Sequence, residues 1–350
     1  MQSLSRYHRQ EILPGVGPGG QERLGRSTAL IVGCGALGCT SADLLCRAGV
    51  GTLIIVDRDV VEQTNLQRQT LFSEQDARES LPKAEAARRR LRAINSDVAV
   101  HALVADFSPR NAERVLQEHR PDIVLDGTDN YETRFLINDL AVKHSLPFVY
   151  AGVVGMSGMA LAVLPGQTAC LRCVFAEPPP PGSQPTCDTA GVFGPAVAIV
   201  AGYQSAEALK ILLGAHHRVL RSLLSFDLWE GRRTRIEPKR DPMCRCCGQR
   251  TFDYLDSDAV GVVTSLCGQG AVQVAPPRQT TIELGQLHER LTGLGSFRRT
   301  EFLITGTLGE ERGDDGEPVG LTVFADGRAV VRGVHSPERA RAIYARYVGA

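Results

Sequence analysis

The stretch Thr28–Gln69, TALIVGCGALGCTSADLLCRAGVGTLIIVDRDVVEQTNLQRQ, decides the fold. It opens on an apolar run (Ala29, Leu30, Ile31, Val32) and breaks into Gly33-Cys34-Gly35-Ala36-Leu37-Gly38. A segment with helical character runs to Gly49, and a second apolar run, Thr52 to Val56, closes on Asp57-Arg58-Asp59. Strand, glycine turn, helix, strand and acidic residue form a phosphate-binding unit: backbone N–H groups and a helix N-terminus hold phosphates, while a carboxylate takes ribose hydroxyls. Three glycines in six residues also arise in ordinary turns, so the flanking strands and Asp57 carry the nucleotide reading.

Outward from this unit, apolar runs at Val98–Val104, Ile123–Asp126, Phe148–Gly152 and Met159–Val163 alternate with helical segments. That alternation predicts an α/β fold, a Rossmann-like and mostly parallel sheet with helices on both faces. Ligands then belong at the carboxyl ends of the strands, at the switch point beside Gly33. Lys83–Ile94 is rich in helix formers and follows Pro82, so it reads as a helix; its Arg88-Arg89-Arg90 run reads as a solvated charged face. Asp126-Gly127-Thr128-Asp129-Asn130 ends a strand where the topology places ligands. It reads equally as a magnesium site using one aspartate or as a turn held by its own Asx side chains.

At 350 residues the chain allows about two domains. Lys plus Arg equals Asp plus Glu, 39 against 39, which argues against nucleic acid as a partner, since phosphate neutralisation needs a basic surplus. The most apolar window, Val192–Leu213, contains Gly194, Pro195, Gly202, Gln204, Glu207 and Lys210, so it reads as a buried helix rather than a membrane span. The N-terminus shows no basic segment followed by an apolar one, and a cytoplasmic location is expected.

Ten cysteines in such a chain point to thiols or metal rather than disulfides. Cys170-Leu171-Arg172-Cys173 and Cys244-Arg245-Cys246-Cys247 form two C-x-x-C knuckles separated by 70 residues. Four thiolates from two such turns suit structural zinc (Zn2+), which would staple distant parts of one domain. Cys246 is the spare of the second knuckle; only Cys244 with Cys247 has the two-residue gap. Between the knuckles, Pro178–Pro181 makes a stiff extended segment leading to Cys187, a lone thiol that reads as nucleophile or as incidental. Residues 251–278 read as an irregular linker ending in Pro276-Pro277. Residues 279–350 read as a small α+β domain of unassigned role: helix Leu284–Leu291, strand Glu301–Thr305, charged loop Gly309–Glu317, a hairpin turning at Asp326-Gly327, and a helix capped by Ser336.

Arg6, Tyr7, Arg9 and Gln10, the glycine turn, Asp57 with Asp59, Asn65-Leu66 with Arg68-Gln69, Pro82-Lys83, Thr128-Asp129-Asn130 and the paired knuckles occur in one order. As an ordered set over about residues 5 to 249, they resemble the family of bacterial sulfur-carrier adenylyltransferases, related to the ubiquitin-activating enzymes. The resemblance implies an enzyme that uses ATP to adenylate the C-terminal glycine of a ubiquitin-like sulfur carrier ending in Gly-Gly. It implies that Gly33, Gly35, Ala36 and the helix they open cradle phosphate and that Asp57 holds the ribose with Asp59 beside it. Asn65, Arg68, Gln69 and Lys83 would grip the triphosphate, while Asp129 holds Mg2+ next to Asn130. Arg9 matches an arginine that reaches into the neighbouring subunit's site, implying a homodimer, and Cys187 matches a cysteine that in some members links covalently to the carrier.

Two departures stand out. Ala36 replaces a glycine found in many members, and residues 251–350 lack a persulfide loop of a cysteine followed by glycine and arginine, so sulfur is expected from a separate donor protein. Two other classes compete with this expectation. An NAD-dependent oxidoreductase would fit the glycine turn but leave Arg68, Lys83 and Asp129 without a task. A non-catalytic scaffold for ubiquitin-like proteins would tolerate a damaged nucleotide site, which these motifs are not.

Overall fold

A computed structural model of the protein describes residues 5–179, 187–257, 263–266, 270–276 and 280–349. The chain divides into two compact units, Met1–Asp258 and Ala259–Ala350.

The first unit is built on eight strands: β1 (Thr28–Val32), β2 (Thr52–Asp57), β3 (Ala99–Val104), β4 (Ile123–Asp126), β5 (Phe148–Val154), β6 (Ser157–Val163), β7 (Leu223–Asp227) and β8 (Arg232–Ile236). Its helices are α1 (His8–Glu11), α2 (Gly17–Arg26), α3 (Ala36–Ala48), α4 (Glu74–Glu79), α5 (Lys83–Ile94), α6 (Ala112–His119), α7 (Tyr131–Lys143), α8 (Leu171–Val174), α9 (Cys187–Ala190) and α10 (Gly194–Leu212). The strand order is β3-β2-β1-β4-β5-β6-β7-β8. β3, β2, β1, β4 and β5 run parallel, and β6, β7 and β8 continue the sheet antiparallel. After β3 the chain returns to the other side of β1, so the switch point lies between β1 and β4, as expected beside Gly33.

Alternation along buried strands builds two cores. Ala29 and Ile31 pack with Ala42 and Leu45 of α3, Ala87 and Leu91 of α5, and Ile211 of α10. Leu30 and Val32 face the other way, toward Val115 of α6 and Ile137 and Leu140 of α7. α10 falls within the apolar window Val192–Leu213 and is buried along one side. No helix among the described residues is long and apolar enough to cross a membrane.

The second unit is a six-stranded antiparallel sheet, built from β9 (Val263–Leu266), β10 (Ala271–Val274), β11 (Gly295–Arg299), β12 (Leu303–Arg312), β13 (Pro318–Phe324) and β14 (Ala329–Arg332). Its order is β11-β12-β13-β14-β10-β9. α11 (Leu284–Thr292) and α12 (Pro337–Tyr347) share a core with Ile304, Leu321, Val323 and Val331. The hairpin turns at Asp326-Gly327, with Gly327 at φ +85°, and Ser336 Oγ caps α12 by accepting from Arg339 N.

Two local expectations are corrected here. The stretch read as an irregular linker holds β9 and β10, and β12 runs through Gly309–Arg312, which had read as loop. Four-residue strands carry little periodic signal, and β10 pairs with β14, far along the chain, as well as with its neighbour β9.

Candidate nucleotide site and cysteine cluster

The glycine turn sits where β1 and β4 part. Gly33 adopts φ +86°, and a Cβ there would stand 2.7 Å from the carbonyl carbon and oxygen of Gly127. A Cβ on Gly38 or on Gly127 would collide with the Gly33 carbonyl oxygen. The turn after β1 and the turn after β4 therefore touch backbone to backbone, at a distance only glycine permits. α3 starts at Ala36 with Gly35 as its N-cap and no side-chain cap, leaving its first N–H groups to a ligand.

Asp57, at the end of β2, is buried, and both its oxygens are engaged. Oδ2 accepts from Cys34 N at 2.6 Å and Oδ1 from Asp59 N at 2.8 Å, so this carboxylate braces the glycine turn. Burial pushes the Asp57 carboxyl up, and Lys83 pulls against it. Lys83 Nζ lies 2.9 Å from Asp59 Oδ2, and Lys83 N donates to Asp59 O. Burial opposes the Lys83 charge, but Asp59 and Asp57 overcome it and hold the ammonium above its ordinary value. Arg58 Nη1 reaches Asp106 at 3.2 Å. Asp129 is exposed, within electrostatic reach of Lys83, Arg58 and Arg134, while Asn130 caps α7 by accepting from Thr133 N at 2.9 Å.

Asn65 is buried and accepts from Glu62 N at 3.0 Å, shaping the turn Gln63–Asn65. Arg68 is half-buried and donates to Thr64 O. Gln69 is buried, its Nε2 stands 4.0 Å from where a Gly35 Cβ would be, and its Oε1 has no partner. A cradle closed to any Cβ and an orphaned buried amide oxygen beside it both fit a bound nucleotide.

The Asx-turn reading of the Asp126–Asn130 segment also holds. Asp126 Oδ1 accepts from Thr128 N at 2.8 Å and Thr128 Oγ1 at 2.7 Å. Burial raises Asp126 to about 6 against the pull of Arg134. Asp126 thus serves the turn, leaving Asp129 as the carboxylate open to a ligand.

On the α7 side of the sheet the two knuckles meet. The Sγ atoms of Cys170, Cys173, Cys244 and Cys247 all lie within 4.8 Å of one another. Three edges of the cluster measure 3.9 Å (Cys170 to Cys173), 3.7 Å (Cys170 to Cys244) and 3.4 Å (Cys173 to Cys247). A Zn–S bond of about 2.3 Å demands an edge of about 3.8 Å in a regular tetrahedron, so the donor set fits zinc. Cys246 is fully buried and is not one of these four sulfurs, its thiol accepting from Asn138 Nδ2 at 3.2 Å.

Comparison with known proteins then places the chain. Residues 7–246 match the ThiF family, more than half of the sequence. The chain belongs to the ThiF family. This ThiF-family chain is 41% identical over 347 residues to the sulfur carrier protein ThiS adenylyltransferase of Bacillus subtilis, covering 98% of this chain and 99% of that one. It is 42% identical over 252 residues to the sulfur carrier protein adenylyltransferase of Thermus thermophilus, covering 71% of this chain and 92% of that one. Among solved structures it is similar to Escherichia coli MccB with ATP, at 25% identity and TM-score 0.60, over 70% of this chain and 75% of that chain.

Within this ThiF-family fold, two expected site residues stand apart. Gln10 of α1 donates to Ala48 O and the Tyr7 ring abuts Gly49, which ties Arg9 to the far end of α3, about 20 Å of helix from the glycine turn. Arg9 itself is exposed. Cys187 opens α9, and its side chain lies outside what the structure describes, as do residues 180–186 of the proline-led segment. Sequence reasoning missed Gly127, Arg58 and Arg134. Gly127 was legible only as a turn residue, and a cation at the end of the first turn of α7, directly before the apolar run Phe135-Leu136-Ile137, was the available sign of Arg134.

Proposed function

We propose that this protein uses ATP to adenylate the C-terminal glycine carboxylate of a ubiquitin-like sulfur-carrier protein, releasing pyrophosphate. The observation that carries the reading is the juxtaposition at one strand edge of the glycine cradle, the buried Lys83 and the exposed Asp129. The names of the Bacillus subtilis and Thermus thermophilus relatives, one of them aligned over nearly the whole chain, support the same reaction. MccB solved with ATP supports the nucleotide.

A carboxylate is already a nucleophile. One of its oxygens bonds to the α-phosphorus as the bond to the β-phosphate oxygen breaks, so catalysis reduces to alignment and charge neutralisation. Gly33, Gly35, Ala36 and the start of α3 hold phosphates, with Asp57 and Asp59 at the ribose side. Asn65, Arg68, Gln69 and Lys83 orient the triphosphate and take charge from the leaving group. Asp129, with Asn130 beside it, would hold Mg2+, which supplies further neutralisation of the phosphates.

The four knuckle cysteines would hold Zn2+ as a staple of the first unit. Arg9, exposed and far from its own glycine turn, supports a homodimer in which it serves the neighbouring site. In this reading the protein acts in the cytoplasm, and sulfur arrives from a separate donor protein after adenylation.

Carrier-dependent exchange of labelled pyrophosphate into ATP tests the reaction: exchange is expected with the cognate carrier. No exchange with any candidate carrier, together with tight NAD binding, would overturn it. Cys187 is assigned a covalent link to the carrier. Mass spectrometry after incubation with carrier and ATP should show a thiol-sensitive adduct that Cys187→Ser lacks, and an adduct persisting in that variant would dismiss the assignment.

A further inference from the structure

We infer that Arg134 is a positioning residue that holds the Gly127–Asn130 loop so that Asp129 is presented to the metal and phosphates; this rests on the adenylation reading. Arg134 is the fourth residue of α7, one turn after its N-cap Asn130, and it is buried although charged. Its Nη2 donates to Thr128 O at 2.8 Å, and its Nε stands 3.4 Å from Asp126 Oδ2. The guanidinium lies over two rings, Tyr131 at 5.3 Å and Tyr150 at 5.5 Å. Asp126 in turn grips Thr128 through both its N–H and its hydroxyl. Asp126, Thr128 and Arg134 therefore close a ring of polar contacts around the residue immediately before Asp129. Asn130, immediately after it, is pinned as the N-cap.

The energetics point away from a purely stabilising role. Arg134 Nε and Asp126 Oδ2 face each other without a hydrogen-bond partner, so this buried pair is imperfectly satisfied. Replacing such a pair by well-packed apolar groups is often neutral or stabilising. What the pair does achieve is geometric: it fixes the carbonyl and amide of Thr128 from opposite sides. Gln204, fully buried, locks the strand end beneath by donating to Asp126 O at 2.7 Å and Val149 O at 2.9 Å. The loop is thus anchored everywhere except at the Asp129 side chain, as a ligand-presenting loop requires.

The test compares the whole protein with Arg134→Met, which keeps bulk and removes charge, and Arg134→Lys, which keeps charge and loses the fork. Amide hydrogen exchange at Thr128 and the Mg2+ dependence of ATP binding are measured beside thermal melting. For Arg134→Met, Thr128 protection should fall and the Mg2+ concentration for half-maximal ATP binding should rise about tenfold or more, as when an outer partner of a metal ligand is removed. Metal-free ATP binding should stay within about twofold, and Arg134→Lys should fall between. Unchanged Thr128 protection in the folded variants, or loss of metal-free and metal-assisted binding by the same factor, would overturn the inference. Should Asp129→Ala leave the metal dependence untouched, the assignment of Asp129 fails instead, and Thr128 protection still decides the role of Arg134.

Discussion

Asp129→Ala is expected to lower carrier-dependent ATP–pyrophosphate exchange by about 10^3-fold, while the melting temperature and metal content stay near those of the unchanged protein. Asp129 is exposed at the head of the loop after β4, so its removal opens no cavity and leaves no buried donor unsatisfied. Its carboxylate contributes instead to the charge balance around Lys83 and Arg58, which sit within its field. Without it, the cations remain but the group that would hold Mg2+ on the phosphates is gone, and the leaving pyrophosphate loses that neutralisation. The loop itself should persist, because its anchors are Asp126, Thr128 and Arg134 rather than Asp129. Exchange within about tenfold of the parent rate would mean that another group holds the metal.

Cys170→Ser and Cys244→Ser are expected to release the metal and unfold the first unit. Structural zinc in small sites is worth on the order of 10 kcal/mol of folding free energy, comparable to the whole stability of a domain. Cys170 and Cys244 are buried against Phe148 and Leu171 in the core on the α7 side of the sheet, so the site couples directly to that core. Metal analysis should find about one zinc per chain in the parent and almost none in either variant. Cys246→Ser provides the contrast. Its thiol accepts from Asn138 and is not one of the four clustered sulfurs, so this variant should keep its metal. A stably folded, metal-free preparation of the parent would remove zinc from the account.

The glycine turn and its strands were legible because local signals suffice for them: apolar runs of strand length, a positive-φ glycine, an acidic residue at the next strand end. Lys83 opening α5 was legible for the same reason, since a proline marks a helix start locally, whereas the capping of α7 by Asn130 went unread. Asp57 was read for a ribose, and its side chain is found bracing the backbone of Cys34 and Asp59, a task no motif announces. β9 and β10 pair with each other locally, but four residues each give little periodic signal, and the partner that joins them to the rest of the sheet is β14, some 60 residues away in the chain.

By itself, the sequence determined the α/β class, the glycine turn, the two knuckles and the ordered motifs that resemble sulfur-carrier adenylyltransferases, because all of these are written in short-range spacing. Only the tertiary structure decided that Gly127 must be glycine to meet Gly33, that Cys246 is not one of the four clustered sulfurs, and that Arg134 and Asp126 grip Thr128 from two sides. Those facts depend on which backbones approach within van der Waals distance and which buried charges face each other. Such contacts join residues that no local period relates.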